Sequence, residues 1–170
     1  MDPTEIPDNL TSFYYTNIQL DNNEPDVIKY NNDVLYQSKL INYFNGDYAK
    51  SKIEKDVNNF LRKIKKNKKY SFSKKDVIFL ESLKADGIKI SEKFDDLYLI
   101  SQNEMPTDIQ IMINNNEPGA ALLRIVEVIG QDRLERMDEE TIYFIISALN
   151  QLNIDYIRNK ILLKVLPLKV

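Results

Sequence analysis

Cysteine, histidine and tryptophan are all missing from the 170 residues, and only 4 glycines and 6 prolines are spread along them. Without cysteine or histidine there are no thiol nucleophiles, disulfides, Cys/His zinc sites or histidine general bases. A metal would have to rely on carboxylates and carbonyl oxygens, and no calcium-loop pattern of alternating Asp and Asn is present. The scarcity of glycine and proline argues against an all-β chain, which needs a tight turn every ten residues or so. The four glycines (Gly46, Gly87, Gly119 and Gly130) are isolated, so no phosphate-cradling loop is built from them. No apolar stretch is long enough for a transmembrane segment. The opening Met-Asp-Pro-Thr-Glu-Ile-Pro has neither the basic nor the apolar region of a signal peptide, and a cytoplasmic location follows as the default. Asn9-Leu10-Thr11 matches a glycosylation acceptor, which has no meaning in that compartment.

What is present points to helices. Hydrophobic residues make up 43% and charged residues 29%, a balance that folds rather than stays disordered. Residues 1–30 hold Pro3, Pro7 and Pro25 and read as a loosely packed lead-in, with residues 31–170 as one domain of helical hairpins. Val34, Leu35, Leu40, Ile41 and Phe44 suggest a helix stopped by Asn45-Gly46. A second is expected from Asp47, with Ile53, Val57, Phe60, Leu61 and Ile64 at steps of three and four.

Ser73 and Asp76 have the spacing of a capping box, flanked by Phe72 and Val77 for a staple; the helix they open should end at Asp86-Gly87. Ser91 opens a short helix through Leu97, and Thr107 to Gln110 repeats the capping-box spacing. Glu117-Pro118 begins a helix running to Gly130, since proline suits a first turn. Asp138 is the next cap, between Met137 and Ile142. The segment from Ile142 to Leu149 is apolar nearly all round and should be buried on several sides. A last helix spans about Ile154 to Leu166.

Val77 to Ser82 lies over Ile142 to Ser147 at an offset of 65 residues, and with one residue inserted Gly87-Ile88 lies over Asn153-Ile154. That offset is about twice the 33 to 34 residues of two-helix repeats, which suggests a degenerate solenoid. The competing explanation is two ordinary helices of similar polarity.

The turn at Tyr43-Phe44-Asn45-Gly46-Asp47-Tyr48-Ala49 resembles that of a tetratricopeptide hairpin, although the other consensus positions are not met. In residues 117–167, Glu117-Pro118-Gly119-Ala120-Ala121-Leu122-Leu123 through Asp138-Glu139-Glu140-Thr141-Ile142-Tyr143 to Leu163-Lys164-Val165-Leu166-Pro167, the chain resembles the C-terminal end of large helical-repeat proteins of alphaproteobacteria. These resemblances imply an all-α fold of antiparallel helical hairpins, a short α-solenoid of degenerate tetratricopeptide-like repeats. They also imply that the chain is the C-terminal piece of a longer one, and they carry over no activity and no site residues.

The candidate site is a basic run: Arg62, Lys63, Lys65, Lys66, Lys68, Lys69, Lys74 and Lys75, interleaved with Phe60, Tyr70 and Phe72. Such a run can lie along phosphates, with aromatics to stack on bases, or against an anionic membrane surface. The net charge of −3 weighs against a dedicated nucleic-acid binder, and cations at a helix end also suit the helix dipole. Asp132, Glu135, Asp138, Glu139 and Glu140 form an acidic counterpart, read as the capping of a helix start. Tyr14, Tyr15, Tyr30, Tyr36, Tyr43 and Tyr48 read as half-buried rims of hairpins. No nucleophile and base can be paired, and no cofactor is expected. The function implied is protein interaction, with a partner protein or the rest of a longer chain, and nucleic acid is the alternative.

Overall fold

The computed structural model describes residues 27–98, 105–130 and 132–169. The described part is predominantly helical, and most of the expected lead-in, with Tyr14, Tyr15 and the Asn9 acceptor, lies outside it. Its residues fall into two units, 27–98 with 166–169 and 105–165. Among the described residues no helix is long and apolar enough to cross a membrane.

The first unit begins with β1 (Ile28–Lys29), paired antiparallel with β2 (Leu168–Lys169) so that Ile28 faces Lys169. The helix expected over residues 34–44 folds instead as two 3-10 segments, Leu35–Gln37 and Lys39–Asn45. Ser38 divides them: it is extended, and its hydroxyl donates to the Leu35 carbonyl (2.7 Å) while accepting from the Leu40 amide (3.4 Å). Leu35, Ser38, Ile41 and Phe44 are all buried. They recur every third residue, the period of a 3-10 helix rather than an α-helix. Gly46, at φ 84°, then turns the chain, with its amide bonded to Tyr43 and the Asp47 amide to Asn42.

Helix α1 (Lys50–Lys66) starts three residues later than the sequence suggests. Asp47 does not cap it, because its carboxylate accepts from the Asn45 side chain (2.9 Å). Ile53, Val57, Leu61 and Ile64 form its buried face, while Phe60 is only half-buried. Helix α2 (Lys74–Ala85) carries the expected capping box in full: the Ser73 hydroxyl accepts from the Asp76 amide (3.2 Å), and the Asp76 carboxylate accepts from the Ser73 amide (3.0 Å). The core of this unit joins these helices with the edge-on pair Phe44 and Phe79 (ring centres 5.7 Å apart) and the stacked pair Phe72 and Tyr98. A 3-10 segment, Glu92–Leu97, completes it at the position expected from Ser91, though Ser91 makes no side-chain cap.

In the second unit, α3 (Thr107–Asn114) and α4 (Pro118–Ile129) form a hairpin across residues 115–117. The capping box expected at Thr107 is absent: Pro106 occupies the cap position, Thr107 is already helical, and the Gln110 side chain donates to Asn114 (2.9 Å); the neighbouring Asp108 carboxylate accepts from Arg124 (2.6 Å). Helix α5 (Glu139–Gln151) is capped by Asp138, which accepts from the Thr141 amide and hydroxyl (both 2.8 Å). Ile142, Tyr143, Ile145, Ile146, Ala148 and Leu149 are buried, as the run apolar on all sides requires. Helix α6 (Asp155–Val165) packs back on α5.

Four turns share one design. At Gly46, Gly87, Asn116 and Asn153 a residue with φ between 56° and 84° ends a helical segment. In each, that residue bonds back three positions and the next one bonds back five, for example Gly87 to Lys84 and Ile88 to Leu83, Asn153 to Asn150 and Ile154 to Leu149. This is the double bond pattern of a Schellman turn. The segments at an offset of 65 residues therefore match at both ends, with a side-chain cap at one and the same turn at the other.

Candidate anion-binding face

The basic run lies wholly in the first unit, and the structure sorts its members. Arg62, Lys63 and Lys66 fall on the solvent face of α1, opposite Ile53, Val57, Leu61 and Ile64. At 3.6 residues per turn, Lys52, Lys55 and Asn59 share that face. The cationic stripe so formed is about 21 Å long at 1.5 Å per residue. Lys52 and Lys55 were not in the candidate run because they are separated from it in sequence. The signal that would have found them is the i, i+3, i+4 spacing of 52, 55, 59, 62, 63 and 66.

Lys65 turns the other way, donating to the Lys93 carbonyl and pairing with Asp96 (3.3 Å). Lys74 and Lys75 open α2 and are half-buried, Lys75 over the ring of Tyr36 (5.7 Å). Lys68 and Lys69 lie exposed in the turn between α1 and α2. Arg62 bonds the Asn59 side chain (3.3 Å). Lys63, Lys66, Lys68 and Lys69 make no ion pair or side-chain hydrogen bond among the described residues.

Beside the stripe is a cleft of about 340 Å³, walled by Asn32, Lys39 and Leu40 on one side and by Asp56, Asn59, Phe60 and Lys63 of α1 on the other. A second hollow of about 230 Å³ shares Asn32, Phe60 and Lys63 and extends to Asn67 and Tyr70. Three asparagines line the two hollows, and each has its carbonyl oxygen occupied. Asn32 accepts from the Lys39 amide (3.1 Å), Asn59 from Arg62, and Asn67 from the Lys69 amide (3.1 Å). Their amino groups remain as donors. Asp56 accepts from the Tyr48 hydroxyl, which is pushed up to about 12 by burial first and then by its bond to Asp56.

A buried polar cluster holds the far wall. Asp76, 1% exposed, accepts from the Tyr36 amide (3.3 Å), the Tyr70 hydroxyl (3.1 Å) and Ser73, while Tyr70 accepts from the Leu35 amide (2.9 Å). Burial raises the Asp76 carboxyl above its ordinary value, against the pull of these bonds. The cluster ties the turn at residues 35–37 to the first turn of α2, and the Asn31 amide bonds the Gln37 carbonyl (3.0 Å), so Asn32 is held at the cleft edge.

The acidic counterpart is dispersed. Asp138 caps α5, Glu135 pairs with Lys164 (3.8 Å), and Asp132, Glu139 and Glu140 are exposed. No group of acidic side chains among the described residues is placed to hold a metal. Of the tyrosines expected at hairpin rims, Tyr30, Tyr36, Tyr43 and Tyr48 are half-buried, and the hydroxyls of Tyr30, Tyr43 and Tyr48 donate to Asn42, Asp86 and Asp56.

Comparison with models of protein families, with curated proteins and with solved structures finds no match to this chain.

Proposed function

We propose that the chain is a non-enzymatic interaction module, a short α-solenoid of degenerate repeats that binds a protein partner, or the remainder of a longer chain, through the α3–α4 hairpin. The observation that carries this reading is apolar surface left uncovered there: Ile111 is 53% exposed, Val128 40% and Leu123 36%. On α4 the buried face is made by Ala121, Ile125 and Ile129, and Leu122 and Val126 continue it half-exposed towards Leu123. Leu123 and Val128 flank the buried face of α4 on either side, and exposed apolar side chains on a helical hairpin suit contact with a partner's helix or strand. The shared turn design of the four helical segments supports the repeat reading, and the resemblance of residues 117–167 to helical-repeat proteins belongs with it.

The test is capture of partners from a lysate by wild type and by a Leu123→Asp, Val128→Asp variant of unchanged circular dichroism. A partner lost only with the variant supports the reading, and equal recovery overturns it.

A second reading, an anionic ligand on the basic segment, is favoured by the unpaired Lys63, Lys66, Lys68 and Lys69. The net charge of −3 weighs less against it once the charge is located. Residues 26–104 contain 16 Lys and Arg against 12 Asp and Glu, whereas residues 1–25 contain five acids and no base.

A further inference from the structure

We propose that the α1 face binds single-stranded nucleic acid, with the stripe holding phosphates and the cleft beside it receiving a base over Phe60. The inference rests on the reading of the basic segment as an anion site and gives it a ligand class.

The stripe supplies charge without sequence information. Lys63 and Lys66 have their ammonium groups unspent, and Lys52 and Lys55 extend the same face along the helix. Such a row attracts any polyanion. The cleft is what discriminates. Together with the second hollow it offers amino donors from Asn32, Asn59 and Asn67, all three with their oxygens engaged inside the protein. Each hollow also has one carboxylate acceptor, Asp56 in the cleft and Asp33 in the second hollow, and the half-buried ring of Phe60 lines both. A phosphate inside either would meet its carboxylate, so phosphates belong on the lysine rim. A nucleobase needs what the interior provides: donors for its ring nitrogens and carbonyls, acceptors for its amino or imino hydrogens, and an aromatic face. Only an unpaired base can enter, since a duplex keeps its bases stacked and paired.

Two other polyanion-binding modes fit less well. A membrane surface calls for apolar side chains beside the cations, and the exposed residues of α1 are Lys50, Ser51, Lys52, Lys55, Arg62, Lys63, Lys65 and Lys66, none of them apolar. An acidic peptide would be satisfied by the lysines alone and would leave the aromatic and amide lining unused.

The experiment is fluorescence anisotropy of the full chain at low salt with a labelled mixed-sequence single strand of about 16 nucleotides. The same strand as a duplex, heparin, and phosphatidylserine vesicles serve as competitors. The single strand should bind tightest and weaken as salt rises. Lys63→Glu with Lys66→Glu should lower affinity for every polyanion by at least about tenfold. Phe60→Leu, which keeps an apolar side chain against the core, should lower single-strand affinity by about tenfold and leave heparin unchanged. Asn59→Ala should act in the same direction as Phe60→Leu, and circular dichroism verifies the fold of each variant. If single strand, duplex and heparin bind alike and Phe60→Leu and Asn59→Ala change nothing, the base site is wrong and the anion face stands. If only vesicles are bound, the base site is also wrong. Absence of binding to all of them overturns both.

Discussion

The two units are built with the same local devices and opposite electrostatics. Each has a helix opened by a side-chain cap, Ser73 with Asp76 in one and Asp138 in the other, and closed by a residue of positive φ, Gly87 and Asn153. Residues 26–104 carry an excess of cations, while residues 105–165 carry six Lys and Arg against nine Asp and Glu. The charges they bury are reversed. The basic unit encloses the Asp76 carboxylate, and the acidic unit encloses Arg158, 0% exposed, bonded to Asn150 (3.1 Å) and Asn159 (2.7 Å) and paired with Asp155 (3.4 Å). A buried ion is tolerated when its hydrogen bonds are met, and here each also sits in a surrounding field of opposite sign.

The comparison is broken most strongly at those two residues. Asp76→Ala removes a helix cap and strands the Tyr36 amide and Tyr70 hydroxyl, and should cost about 3 kcal/mol or more in a denaturant titration. Arg158→Ala should cost about 3 kcal/mol through lost packing and the lost hydrogen bonds to Asn150 and Asn159, and Arg158→Met, which refills the volume, should recover much of it.

Acid should act differently on the carboxylates of the two units. Asp76 is raised by burial, so its contribution to stability is complete below the unfolded carboxylate value and is lost as pH rises through its folded value. Asp108 is lowered, chiefly by the Arg124 hydrogen bond, and Asp138 is lowered by the Thr141 amide. Their contributions are present above the ordinary value near 3.8 and lost as pH falls through their folded values. Lowering the pH past that point should therefore loosen the Asp108–Arg124 pair and the Asp138 cap of α5 before the Asp76 cluster. Residue-resolved NMR shifts would check this, and simultaneous loosening would contradict it.

The smallest effect should lie at the matched turns. Gly87→Ala meets no neighbouring atom and should cost about 1 kcal/mol for its positive φ alone, whereas Asn153→Gly should gain a few tenths. Thermal melts of the two variants would measure both.

How much of this could be read in advance depended on how local the cause was. The caps at Ser73 and Asp138, the stops at Gly46 and Gly87 and the buried run from Ile142 involve neighbours within one or two turns, and the sequence spells them out. The division at Ser38 was also written locally, as a period of three, but apolar residues on either side made it read as a single α-helix. Thr107 had the right spacing, but Pro106 took the cap position and the Gln110 side chain bonds Asn114 instead. The cleft was not legible, since Asn32 and Lys39 meet α1 only after the turn at residues 31–40 has folded onto it. Arg158 carried no signal either: an arginine on an amphipathic helix reads as solvated until its neighbours are known.

The pairing of β1 with β2 places the last described residues in the same unit as residues 27–98. In the language of chain topology, the basic unit is discontinuous, its two pieces encoded on either side of residues 105–165. During synthesis its ladder cannot close until Leu168 and Lys169 have emerged, after all of residues 105–165. The basic unit is therefore begun before those residues and completed only after them, which departs from simple N-to-C folding of one unit after another.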